Sequence, residues 1–468
     1  MPAGTKPLSW LRPSTLWQSR NDLVARHLGD PVFAMRAAWV RQARDRARAT
    51  GAGEDFVLRL GDAEAASLLV AGDTGEGDAS QYAVVPGLLA QADDVAAMVI
   101  CSDVIYPTGD TGDYRDRFYR PYRDLPAPIL ALPGNHDWYD GLHGFMDHLC
   151  ELQAPAALPP APGRRAWLGR RLWRTSPGAT PEELAAMRKL RDRPGQTLAP
   201  PQPAPYWALD AGPVRFVAID TGIAGGLDAE QGDWLRRVSR AGDRPKVLLT
   251  GKPIYVNGER HPCAIEGGGT VDDVVCDPAA NYVAAIGGDI HNYQRYPVTV
   301  AGGRCVQHIV AGGGGAFMHA THQIPRITLE GTSEDAFRCY PLRGDSLARY
   351  SQLYDRRLAG GRGLLRLSPD EAATYMGELL DLVPTRGVRV PLGPRARTAA
   401  RLIQPAPAQR GFHRFVSEAF DFNEPPMFKS FLRLDVTPGA LRIRCFGVSG
   451  CAETERDPPV EDEVTVRW

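Results

Sequence analysis

Lysine is scarce in this chain, with five residues against forty-nine arginines. Net charge is also missing, since 54 basic residues meet 55 acidic ones, so no overall field draws in nucleic acid or an anionic membrane. No run of apolar residues approaches the length of a bilayer span. The N-terminus has no apolar signal core, because Trp10-Leu11 is broken at once by Arg12-Pro13. Eight cysteines are scattered without a CxxC pair, which suits free thiols in a reducing compartment. No internal repeat stands out. These absences point to a cytoplasmic protein with no nucleic-acid partner, large enough at 468 residues for one principal domain with sizeable insertions.

What the chain does have is a series of short apolar runs, each ending in metal-ligating residue types. Pro128-Ile129-Leu130-Ala131-Leu132 leads into Gly134-Asn135-His136-Asp137. Ser67 to Gly72 leads into Asp73-Thr74-Gly75, and Ala97 to Ser102 into Asp103-Val104-Ile105-Tyr106. Tyr282 to Gly288 leads into Asp289-Ile290-His291. Apolar runs of this length bounded by turn residues read as buried strands. Ligands in open α/β sheets gather beyond the carboxyl ends of strands, and hard ions favour carboxylate, amide oxygen and imidazole.

This order of motifs resembles the calcineurin-like metallophosphoesterases, nearest the purple acid phosphatase branch, over about residues 55 to 320 plus a returning strand pair near the C-terminus. The resemblance implies an α/β fold, a four-layer sandwich of two mixed sheets flanked by helices, with helical insertions. It implies one metal ion held by Asp73, Asp103, Tyr106 and His291. For a second ion it supplies Asp103 and Asn135, but the two expected imidazoles are replaced. Thr250-Gly251-Lys252-Pro253 has lysine and Gly288-Asp289-Ile290-His291 has aspartate where the family has histidine. A protonated lysine has three donors and no acceptor. Either Asp289 ligates a second, harder ion and Lys252 contacts phosphate, or the Lys252 ammonium pairs with Asp289 and itself replaces the second ion.

The chemistry the resemblance implies is hydrolysis of a small phosphorylated substrate, monoester or diester, by metal-bound hydroxide attacking phosphorus. The ion would be iron, manganese or zinc, one or two per chain. Asn135 and Lys252 would stabilise charge on the phosphoryl oxygens. His136 would protonate the leaving group or hold a phosphate oxygen, with Asp137 or a neighbouring carboxylate fixing its tautomer. A second class of function is a degenerate scaffold that binds a phosphorylated ligand or protein without turnover.

Other residues read more plainly. Arg295 is expected to form a structural ion pair. His319 and His322 share a spacing that puts both imidazoles on one helical face, where packing or substrate contact is the ordinary role. The run Gly312 to Gly315 lacks the ending of a phosphate-binding P-loop and reads as a tight turn. His143, His148 and His261 read as surface or supporting residues.

The organisation predicted is a helical extension over 1–54, a core over 55–325 interrupted at 150–205, a helical and irregular insertion over 326–425, and a closing β-hairpin within 426–468. Pro405 to Ala408 suggests a linker. The stretch Arg164 to Arg174 is basic and carries Trp167 and Trp173. It reads as a helix that packs its aromatics on the parent domain, with contact to a membrane surface or an acidic partner as the alternative.

Overall fold

The computed structural model describes residues 9–10, 12–60, 63–153, 164–176, 178–192, 201–383, 388–404, 424–452 and 454–468. Each apolar run named above forms a strand. In chain order the strands are β1 (Val57–Arg59), β2 (Ala66–Ala71), β3 (Ala97–Cys101), β4 (Ile129–Leu132), β5 (Trp207–Ala211), β6 (Val214–Ile219), β7 (Lys246–Thr250) and the short pair β8 (Tyr255–Val256) and β9 (Glu259–Arg260). They continue with β10 (Tyr282–Gly287), β11 (Tyr293–Thr299), β12 (Cys305–Ala311), β13 (Arg338–Tyr340), β14 (Lys429–Thr437), β15 (Ala440–Val448) and β16 (Val460–Arg467).

Two mixed sheets result. One runs β1-β5-β6-β7-β10-β12-β11-β13, the other β16-β15-β14-β2-β3-β4. Their centres are parallel, β6-β7-β10-β12 in the first and β2-β3-β4 in the second. Strands β3, β6, β7 and β10 are buried at every position, as parallel strands covered on both faces must be. A single continuous core joins the sheets, with Leu69 and Val99 from one and Val247 and Ile286 from the other. The anticipated C-terminal hairpin is β14–β15, which adds antiparallel to β2. It carries a third strand, β16, whose sequence Val460-Glu461-Asp462-Glu463 is too charged to read as a strand; as an edge strand it tolerates this, and the charges blunt further pairing.

The N-terminal segment folds as α1 (Pro13–Gln18), α2 (Asn21–Leu28) and α3 (Val32–Thr50). Along α3, Val32, Met35, Trp39, Val40 and Ala43 recur at helical spacing and enter the main core. Arg36 lies on the same face, fully buried, and its guanidinium bonds Asp220 at 2.7 Å and Asp228 at 2.8 Å. Burial alone would depress its pKa, but the two carboxylates more than offset this and hold it above the ordinary value. Asp220 also accepts from Trp138 Nε1 at 2.9 Å, so α3 is tied to the loop that follows Gly134-Asn135-His136-Asp137.

Helices Arg343–Leu358, Pro369–Leu380 and Pro394–Ile403 form a smaller core with Met318. Pro405 to Ala408 lie outside the described residues. Helix Arg164–Leu172 forms, but the expected packing of its tryptophan does not occur. Gly169 is the residue that meets α2, its Cβ position 3.2 Å from Leu28 Cβ. Trp167, two residues back and therefore about 200° round the helix, is 60% exposed. Trp173, just beyond the helix, is the one that packs on the main core.

The Arg36 arrangement gives a direct expectation. Arg36→Ala leaves Asp220 buried without its cation and should cost about 3–5 kcal/mol, read from denaturant unfolding.

Candidate metal centre

The ends of β2, β3 and β10 meet at the edge where the two sheets come together. Asp73 N–H donates to the Ser102 carbonyl at 3.1 Å and Gly72 N–H to that of Ala311 at 2.8 Å, and Ala316 N–H returns to that of Asp73 at 2.8 Å. Chain reversal at these ends is abrupt. Asp73, Ser102, Asp103 and Asp289 all take positive φ, at 57°, 77°, 38° and 64°. Such backbone is costly for residues other than glycine and concentrates where a surrounding structure enforces it. Two glycines make the approach possible: a Cβ at Gly134 would stand 2.1 Å from Asp103 Oδ1, and one at Gly288 would stand 2.8 Å from Asp73 Oδ2.

Tyr106 is the hub. Its hydroxyl lies 3.0 Å from Asp103 Oδ2, 3.3 Å from Asp73 Oδ1 and 3.1 Å from His291 Nε2. His291 Nε2 and Asp73 Oδ1 are 4.0 Å apart. The His291 ring is fixed by its Nδ1, 2.7 Å from the Phe317 carbonyl, and by stacking on His319 at 4.1 Å. Nε2 is thus the nitrogen turned to the oxygens, an arrangement typical of ligating imidazoles.

These residues fit a metal ion. Asp73 Oδ2 is buried without a well-formed hydrogen bond. Burial first, then the charges of Asp103 and Asp289, push the Asp73 carboxyl well above the usual range. Burial and the charges of Asp103 and Asp73 likewise raise the Tyr106 phenol. A cation among them would reverse both shifts. The spacings also fit, since donors about 2.1 Å from one ion at right angles stand about 3.0 Å apart and opposed donors about 4.2 Å. Among the described residues no group of three or more histidine, cysteine, aspartate or glutamate side chains is close enough to hold an ion by itself. The set depends on the tyrosine oxygen that links its members.

Next to this set stands the departure from the two-metal pattern. Lys252 Nζ donates to Asp289 Oδ1 at 2.7 Å. Burial disfavours the ammonium, but Asp289 and then Asp103 overcome it, and the lysine pKa is raised. Asn135 Nδ2 donates to the Tyr139 hydroxyl at 2.8 Å. Arg26, on α2, pairs with Asp22 at 2.9 Å, and its positive charge is felt by Lys252.

Asp137 takes a different part from the one read in the sequence. It does not fix the His136 ring, whose Nδ1 lies 2.8 Å from the Pro107 carbonyl. Its buried carboxylate instead accepts the backbone N–H groups of Val104, Ile105 and Gly134 at 2.9, 3.1 and 2.9 Å. It thereby clamps the Asp103 loop to the His136 loop, and His136 N–H in turn donates to Asp103 Oδ1 at 2.8 Å. Asp137 is a positioning residue.

The remaining candidates divide. Arg295 forms an ion pair with Asp462, as read, its Nη2 3.0 Å from Oδ1. His319 joins the site through His291, whereas His322 turns into the helical core and bonds Ser346 Oγ at 2.8 Å. His148 is buried, stacked on Tyr114 at 4.2 Å, and burial lowers its pKa to about 3. His261 lies at the surface, 3.7 Å from Glu259. Sequence reasoning missed Trp10, whose ring stands 5.2 Å from His136 and 6.0 Å from Tyr106. No local signal places a residue so far along the chain over this site.

The Asp137 clamp can be checked. Asp137→Ala leaves three buried N–H donors unpaired and should cost upwards of about 3 kcal/mol in chemical denaturation.

No curated protein matches this sequence significantly. Among solved structures, a purple acid phosphatase, PPD1, from yellow lupin seeds aligns over 86% of this chain and 54% of its own, at 12% identity and TM-score 0.42. The chain thus spans about half the length of that lupin protein. GAP50, the anchor in the inner membrane complex of Plasmodium, aligns over 86% of this chain and 89% of its own, at 9% identity and TM-score 0.42. PhoD aligns over 87% and 70%, at 12% identity and TM-score 0.38. Likeness at these values carries no functional argument. The sequence profile of calcineurin-like phosphoesterases matches residues 66–293, the stretch that holds Asp73, Asp103, Tyr106, Asn135, Asp289 and His291, so this part of the chain is similar to a calcineurin-like phosphoesterase domain.

Proposed function

We propose that this protein is a metal-dependent phosphoesterase with a single metal ion, in which Lys252 supplies the positive charge that a second ion gives elsewhere. The observation that carries this reading is the 2.7 Å bond from Lys252 Nζ to Asp289 Oδ1 beside the Asp73, Asp103, Tyr106 and His291 set. Both positions that depart from the two-metal pattern depart together and meet each other. With its Oδ1 engaged by an ammonium, Asp289 acts as the counter-charge of Lys252.

Asp73, Asp103, Tyr106 and His291 would hold the ion: iron, manganese or zinc. When bound, such an ion supplies Lewis acidity and makes water a competent nucleophile near neutral pH. The chain's own residues do the rest. Lys252 and Asn135 meet the phosphoryl oxygens with donors already held in place by Asp289 and Tyr139. His136, its Nδ1 taken by the Pro107 carbonyl, presents Nε2 for the leaving oxygen of a phosphomonoester or diester. Asp137 keeps both loops in register. The second reading, a phosphate-binding scaffold without turnover, draws on the loss of both second-site imidazoles.

Hydrolysis of an aryl phosphate by the metal-loaded chain separates the two readings. Lys252→Met should lower kcat by about 10²-fold or more with a smaller change in KM, the size seen when one donor to developing charge is removed. No turnover by the wild-type protein, with phosphate still bound, would favour the scaffold.

A pH profile tests the ion pair separately. Asp289→Asn removes the largest influence raising the Lys252 pKa, leaving the lowering by burial and Arg26 opposed by Asp103 alone. The variant should acquire an alkaline limb, losing activity as pH rises through the lowered lysine value, in a range where the wild type stays active.

A further inference from the structure

α1, α2 and helix Arg164–Leu172 share an outer face that is apolar and aromatic. Trp17 and Trp167 are 65% and 60% exposed, and Leu16, Leu23, Leu168 and Leu172 stand out beside them. Arg20 joins its two halves, donating through Nε to the Leu172 carbonyl and through Nη1 to that of Trp17, both at 2.9 Å. Its guanidinium lies 4.7 Å from the Trp17 ring, Arg171 lies 5.8 Å from the Trp167 ring, and Gly169 brings the helix against Leu28.

Charge around the face is of one sign. Arg12, Arg20, Arg165, Arg170 and Arg171 lie in or beside the helices that carry it. Along 12–28 and 164–172 Asp22 is the only acidic residue, and Arg26 is its partner. In a chain whose net charge is −1, this is a local concentration. Two such faces would repel each other, which argues against a second copy as occupant. Exposed tryptophans with arginine guanidinium groups over their rings are instead the composition of an element lying in a bilayer interface. Among the described residues no helix is long and apolar enough to cross a membrane, so contact would be to the surface.

We propose that this face docks the protein on an anionic lipid surface, with Trp17 and Trp167 entering the headgroup region and the arginines meeting lipid phosphates and carboxylates. The proposal does not depend on the phosphoesterase reading. It bears on the site nonetheless, because α2 also carries Asn21, whose Nδ2 holds the Tyr139 carbonyl at 2.6 Å and that of Arg174 at 2.8 Å. The docking face and the rim of the candidate metal centre are therefore two sides of one helix.

The test is co-sedimentation of the full chain with vesicles of phosphatidylcholine, alone or with about a third phosphatidylserine, at about 0.1 M and 0.5 M salt. The expected result is binding to the anionic vesicles that weakens with salt. It should fall about tenfold or more in a Trp17→Ser, Trp167→Ser double variant whose thermal midpoint is unchanged. If that variant does not fold, Arg165→Glu with Arg171→Glu should give the same loss without altering the apolar residues. Absence of binding to either vesicle, or a variant that binds like the wild type, would overturn the proposal. So would a dimer in sedimentation equilibrium that the tryptophan variant dissociates, which would assign the face to a second copy.

Discussion

Burial of the Asp73 carboxylate beside that of Asp103 is the constraint to which the rest of the site answers. Two carboxylates near one tyrosine hydroxyl, out of water, cannot both stay charged without a cation or a proton. Every neighbouring feature bears on that crowding. The glycines at 134 and 288 leave room for the oxygens. The positive φ at Asp73, Asp103 and Asp289 aims them inward. Asp137, itself buried, spends its hydrogen bonds on three backbone amides and so holds the Asp103 loop where the crowding occurs. Strained backbone and a buried carboxylate oxygen without a well-formed hydrogen bond coincide at this point.

The same reasoning separates the two halves of the centre. On one side the donors are carboxylate, phenol and imidazole, whose crowding a cation or a proton relieves. On the other, Lys252 and Asp289 form an ion pair at 2.7 Å. An ammonium is a weaker Lewis acid than a metal but a good fixed donor to phosphate. The N-terminal helices complete the frame: Arg36 ties α3 to Asp220 and Trp138, Asn21 ties α2 to Tyr139, and Trp10 covers Tyr106 and His136. The segment that reads in sequence as an extension is built into the core and the rim of the site.

Much of this was legible from the chain because the relevant signals are local. Apolar runs ending in ligand types gave the sheets and brought Asp73, Asp103, Tyr106 and His291 to one point. The joint replacement of two histidines marked Lys252 and Asp289 but left Asp289 as either a ligand or the partner of Lys252; the 2.7 Å bond between them comes from the fold. What was not legible depended on contacts distant in sequence or on directions that sequence does not encode. Asp137 follows His136 directly, yet its partners are 32 and 33 positions away. Trp10 lies nearly a hundred residues before Tyr106. Strand β16 escaped notice because an edge strand can be charged, and the exposure of Trp167 because the contact face of its helix is set by Gly169. His319 and His322 part company because His322 sits in a single tight turn, Thr321–Gln323, that does not extend back to His319 as a helix.

The most direct measurement of the central claim is the metal content of the purified chain after loading with iron, manganese or zinc, read by elemental analysis beside the Asp103→Asn variant. One ion per chain, lost in the variant, is the predicted result. Two ions per chain would contradict the account, because Asp289 would then be a ligand and Lys252 could not stand in for the second ion. No ion under any loading would contradict it at the root, leaving the buried carboxylates to be satisfied by protons alone.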